Sequence, residues 1–117
     1  MEFVLDIHCH TLASGHAYST LNENAEHAKK INLKCFGAAD HGPQMPGAPH
    51  FYHFANMRVL GAEIRGIRFL KGIEANILNE NGEIDLAEEW LKGLDFAIAS
   101  FHRGIFKNSN IKTNIKL

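Results

Sequence analysis

Hydrophobic positions along this chain fall into short, unbroken runs separated by segments of helical period. Phe3 to His8 (FVLDIH) shows no helical spacing and predicts a buried strand. A small-residue loop follows from Thr11 to Ser19. Thr20-Leu-Asn-Glu23 then fits a capping box that opens a helix through about Ile31. Cys35 to Asp40 (CFGAAD) predicts a second strand, and Gly42 to Pro49, with three prolines and two glycines in eight residues, must be a loop. Phe51, Phe54, Ala55 and Leu60 lie at helical spacing and predict a helix over His50 to Ile64. Ile67 to Ile77 reads as a third strand, Asn79 to Gly82 as a turn, Ile84 to Leu91 as a short helix and Leu94 to Ser100 as a fourth strand.

Strands that alternate with helices argue for an α/β architecture of about four parallel strands with helical crossovers. At 117 residues the chain suits one domain. Its 45% hydrophobic and 21% charged residues are those of an ordinary globular protein. A formal net charge of −1 with no basic block argues against a phosphate-neutralising surface for nucleic acid. No apolar run approaches the roughly 20 residues that span a bilayer, and the N-terminus has no signal-peptide pattern. Cys9 and Cys35 do not make a disulfide framework. A cytoplasmic protein with reduced thiols is the expectation.

The composition is unusual in one respect, its eight histidines. Their positions matter more than their number, because metal-type ligands close every predicted strand. Strand one ends in Asp6-Ile-His8-Cys-His10, strand two in Asp40-His41, strand three delivers Glu74, and strand four runs into His102. In parallel α/β folds the C-terminal strand ends share the rim on which active sites form. His8 and His10, two apart on an extended segment, point the same way and can serve one metal. Asp6 is expected on that face, as an acceptor that orients an imidazole. Glu74 follows an apolar stretch, so a metal or cationic partner is expected for it, and a carboxylate can bridge two ions.

The remaining candidates have blander readings beside the functional ones. Cys9 should point to the opposite face and Cys35 into the core. His16, in the loop Ser14-Gly-His-Ala-Tyr18, either folds over the rim as a ligand or is solvated. His27, beside Lys29 and Lys30, reads as surface, and His50 and His53 read as packing residues rather than substrate contacts. Glu80, Glu83, Asp85, Glu88 and Glu89 read as a solvated acidic helix face. Arg58 and Arg103 are either phosphate contacts or surface charges.

The stretches DIHCHTLASGHAYSTL, AADHGPQMPGAPHFYHFANMR, KGIEANILNENGEID and FAIASFH together resemble the PHP (polymerase and histidinol phosphatase) metal-dependent phosphoesterases, especially their bacterial three-zinc phosphatases. The resemblance implies the N-terminal half of a distorted (β/α)7 TIM-like barrel. It implies a trinuclear centre in which His8, His10 and Glu74 hold one metal, Glu74 and His102 a second, and His16 and His41 a third. Glu74, His16 and His41 would then serve catalysis directly. The implied reaction is hydrolysis of a small phosphate monoester by a metal-activated water, with zinc the best match to histidine-rich ligation and manganese or iron also compatible.

The family barrel is about twice as long as this chain and is completed by a further histidine and a late Asp-x-His pair. Residues after His102 contain neither histidine nor aspartate. The expectation is therefore a partial domain over residues 1–117, with the C-terminal half absent and one protein ligand missing at each metal. Two alternatives stand beside it. One is a non-catalytic metal-binding half-barrel that needs a second chain, or another copy of itself, to complete the barrel. The other is a metal-dependent amidohydrolase, whose barrels also begin with H-x-H.

Overall fold

The computed structural model describes residues 1–107. Four parallel strands form a continuous sheet in the order β1 (Leu5–Cys9), β2 (Cys35–Ala38), β4 (Ile67–Asn76) and β5 (Phe96–Ser100). A two-residue strand, β3 (Glu63–Ile64), runs antiparallel against the start of β4. The long β4 holds the sheet together, since its first half pairs with β2 and its second half with β5. The architecture is α/β, half of a TIM-like barrel.

The helical layer is thinner than the sequence pattern predicts. Helix α1 (Leu21–Lys30) forms as expected, capped by the Thr20 hydroxyl accepting the Glu23 backbone N–H while that hydroxyl donates to the Glu23 carboxylate. The expected helix over His50 to Ile64 is instead α2 (Phe51–Asn56), a 3-10 turn (Met57–Val59) and the hairpin strand β3. Gly61 and the left-handed Arg65-Gly66 pair interrupt the helical spacing there. The helix expected over Ile84 to Leu91 shrinks to one turn, α3 (Glu88–Leu91), because Ile84 bridges back to Ile77. Asp85 turns inward to accept backbone N–H groups of Gln44 and Asn76, so it does not belong to a solvated acidic face.

Two apolar clusters line the outer face of the sheet. Ala25 and Ala28 of α1 pack on Phe36, Ala38, Ile67 and Phe69. Phe54 and Met57 pack on Ile73, Ala75 and Leu86. With period-2 alternation, Ile73 and Ala75 facing outward leave Gly72, Glu74 and Asn76 on the inner face. The Phe96 ring covers Gly72 from within, where a Cβ would meet its Cζ at 2.2 Å.

Strand β1 carries an irregularity that decides which side chains reach the rim. Asp6 pairs with Phe36 and Cys9 with Ala38, so three steps along β1 match two along β2. This bulge reverses the alternation. Asp6 and Cys9 both face α1, lining a cleft with Phe36, while His8 and His10 face inward. The expectation that Asp6 orients an imidazole is thus corrected: its carboxylate accepts the backbone N–H of His8 at 3.0 Å. Neither β1 nor β5 is buried as a central strand would be. Phe3, Val4 and Leu5 are exposed at one edge and Phe101 at the other. Cys35 is half-buried rather than in the core. No helix among the described residues is long and apolar enough to cross a membrane.

Candidate metal centre

All four parallel strands deliver a ligand-type side chain to one rim. Glu74, on the inner face of β4, is 8% exposed and sits at the centre. Its Oε2 lies 3.2 Å from His8 Nε2, 3.2 Å from His10 Nε2 and 3.1 Å from His41 Nδ1. Its Oε1 lies 3.3 Å from His102 Nε2. Two groups of three potential ligands result, His8–His10–Glu74 and His41–Glu74–His102, and both contain Glu74.

The sequence expectations are brought together unevenly. His8, His10, His41, Glu74 and His102 converge as expected. His41 groups with Glu74 and His102, however, whereas the resemblance assigned it with His16 to a separate ion. His16 is exposed and packs edge-on against His41, with ring centroids 4.6 Å apart, and it joins no group of three among the described residues. Its loop is held down where Gly15 meets Gly47, since a Cβ at Gly15 would stand 2.3 Å from the Gly47 carbonyl. His27, Arg58 and Arg103 are exposed. His50 caps α2, its Nδ1 accepting the Tyr52 N–H at 3.2 Å. His53 presents Nε2 to Asp40 at 3.5 Å.

Asp40, expected among the strand-end ligands, joins no group of three among the described residues and instead supports the rim together with Ser14, which the sequence reading did not single out. Asp40, wholly buried, accepts the Thr11 N–H at 2.6 Å, the Thr11 hydroxyl at 2.8 Å and the Ser14 hydroxyl at 2.8 Å. Burial alone would raise its pKa, but the adjacent His53 and these bonds hold it at about 2. Ser14 Oγ spends its single proton on Asp40 and accepts the backbone N–H of His41 at 3.1 Å. Its 2.9 Å contact with His10 Nδ1 therefore has the imidazole as donor. Chain position gave no signal for Ser14. Its role depends on the 3-10 turn Leu12–Ser14, which carries it beneath His10.

That assignment tests whether a metal fits. With its proton on Nδ1, neutral His10 presents a lone pair from Nε2 to the Glu74 carboxylate oxygen 3.2 Å away. Two lone pairs facing each other repel unless a cation lies between them. A proton is a poor candidate, because burial, reinforced by His8 and His16, lowers the His10 pKa. Burial likewise pushes His41 down to about 4, with neighbouring His10, His102 and His16 adding to the effect. The buried Nδ1 of His41 also has no hydrogen-bond partner. Glu74 is held below its ordinary value. Burial opposes this, but hydrogen bonds from Ser100 and His8 and the nearby His41 outweigh it. Neutral His10 and His41 beside an ionised carboxylate form a donor set suited to a divalent metal. The N···O separations of 3.1–3.3 Å also approach the edge of about 3.3 Å expected for tetrahedral zinc.

The family model described as the PHP domain matches residues 6–116. The chain belongs to the PHP family. It is 53% identical over 110 residues to a probable phosphatase of Photobacterium profundum, covering 94% of this chain and 45% of that protein. It is 53% identical over 102 residues to a probable phosphatase of Acetivibrio thermocellus, covering 87% of this chain and 42% of that protein. A probable phosphatase of Caldanaerobacter subterraneus is 50% identical over 117 residues, with 99% and 46% covered. This PHP chain thus spans about half the length of the curated relatives it matches.

Proposed function

We propose that this chain supplies the metal-holding part of a phosphatase that hydrolyses small phosphate monoesters. The observation that carries the reading is Glu74, one carboxylate shared by two histidine-containing ligand groups on a common rim. His8, His10 and Glu74 would hold one ion, and His41, Glu74 and His102 a second. His16, beside His41, would belong to a third. Zinc suits this donor set, and manganese or iron is compatible with it. When bound, such ions activate a water and neutralise the phosphate oxygens.

The chain's own residues would do the rest. Glu74 fixes the spacing of the two groups. The exposed flank of His8, 45% accessible, leaves room for a substrate phosphate, and His16 stands free at the rim to contact it. The working compartment proposed is the cytoplasm, with Cys9 and Cys35 as free thiols.

A specific observation favours a second reading, a metal-binding half-barrel that acts only with a partner. Among the described residues, exposed Phe3, Val4 and Leu5 at one edge and Phe101 at the other leave both outer strands uncovered. A second chain or another copy would complete the rim. Hydrolysis of p-nitrophenyl phosphate in the presence of zinc separates the readings. The partner reading expects negligible turnover by the isolated chain and turnover once a partner that supplies further metal ligands is added. Robust turnover by a monomer would overturn it, and no turnover with any partner would overturn the phosphatase proposal.

A further inference from the structure

Asp85 is the polar group at this rim that the metal reading does not use. Its carboxylate accepts the backbone N–H of Asn76 at 2.8 Å through Oδ1, and the backbone N–H of Gln44 at 2.9 Å through Oδ2. It also accepts the Asn76 side-chain Nδ2 at 2.5 Å through Oδ2. The same Nδ2 donates to the Gly42 carbonyl at 3.2 Å. Both partners of Nδ2 are pure acceptors, so the amide orientation of Asn76 is fixed. Asn76 Oδ1 must then face His102, and it does so at 2.6 Å from Nδ1. A carbonyl oxygen can only accept, so His102 Nδ1 carries a proton, an arrangement that in the neutral ring turns the Nε2 lone pair toward Glu74 Oε1.

The chain reserves space for this carboxylate. A Cβ at Gly42 would stand 2.4 Å from Asp85 Oδ1 and 2.5 Å from Oδ2. Gly42 directly follows His41, so the notch that admits Asp85 adjoins one ligand while the Asn76 amide reaches another. Asp40, through Ser14, sets His10 in the same manner on the other side of Glu74. Each ligand group thus has its own carboxylate acceptor acting through one neutral side chain.

We propose that Asp85 is a positioning residue which, through Asn76, selects the His102 tautomer and so governs the affinity of the His41–Glu74–His102 group separately from that of the His8–His10–Glu74 group. This rests on the metal reading above. Partners that orient metal-binding imidazoles typically change affinity about 10- to 100-fold when removed.

The test titrates zinc into the full chain while following the ring 15N and 1H resonances of each histidine. Metal-free wild type should show His102 protonated on Nδ1. Asp85→Ala should weaken zinc at the His102 group about tenfold or more, with the His8–His10 group changed only a few-fold. Gly42→Ala, which displaces the carboxylate without deleting it, should do the same. Ser14→Ala should weaken both groups, since Ser14 Oγ meets His10 Nδ1 and also accepts the His41 backbone N–H. Equal weakening of both groups in Asp85→Ala, or unchanged affinity in both Asp85→Ala and Gly42→Ala, would overturn the proposal. Should those variants fail to fold, the wild-type tautomer decides, and a proton on His102 Nε2 overturns it. A wild type with the expected tautomer that binds zinc at neither group would instead sink the metal reading.

Discussion

The Nδ1 atom of His41 stands 3.1 Å from Oε2 of Glu74, buried and without a hydrogen bond. Its ring titrates near 4 rather than 6.5, first because burial disfavours the cation and then because other histidines surround it. The unfolded chain therefore binds this proton more readily than the folded one between about pH 6.5 and about pH 4. Stability of the metal-free protein should be complete above that window and fall as pH drops through it. The slope should approach about 1.4 kcal/mol per pH unit. Urea unfolding in EDTA at a series of pH values measures it. His41→Asn should flatten the slope, and an unchanged slope would remove His41 as its source.

Asp40 gives the opposite sign in a more acidic window. Its carboxyl is held at about 2, so its contribution is present above the ordinary carboxylate value near 4 and lost as pH falls toward 2. The shift corresponds to about 2 kcal/mol. Asp40→Ala should cost about that much or more at pH 7, since Thr11 and Ser14 lose a charged acceptor. A loss below roughly 0.5 kcal/mol would show that solvent replaces the carboxylate, against the expectation for a buried acceptor.

The inner wall depends on a hydrogen atom at position 72. Gly72→Ala would drive a methyl group into the Phe96 ring and should destabilise by about 1–3 kcal/mol. Trimming the ring, as in Gly72→Ala with Phe96→Leu, should recover part of that loss. Independent, additive effects in chemical denaturation would contradict the contact.

Both sheet edges should associate. Among the described residues, Val4 and Leu5 on one side and Phe101 on the other expose apolar surface beside unpaired strand backbone. Sedimentation velocity should therefore show concentration-dependent association. Val4→Lys should suppress it while leaving zinc binding intact, whereas a monomer at all concentrations would argue against edge pairing.

The sequence exposes the strands and their terminal ligands because parallel strands are continuous apolar runs and buried charges need partners. His8, His10, His41, Glu74 and His102 are legible for that reason. The helical crossovers are less so. Phe51 to Leu60 keeps helical spacing for under three turns before Gly61 and Arg65-Gly66 redirect the chain into a hairpin. The side of β1 occupied by Asp6 is not legible either, since a bulge carries no compositional mark. Asp85 hides inside an acidic run, and only the space at Gly42 reveals its inward turn. Asn76 carried a usable signal: two residues beyond Glu74 on one strand, it had to share that residue's face.

The central claim is that Glu74 serves two ligand groups at once. The most direct measurement is zinc bound per chain, after equilibrium dialysis, for wild type and Glu74→Gln. Both groups should lose zinc together in the variant, while circular dichroism stays native. Zinc content equal to wild type, or loss confined to one group, would contradict it.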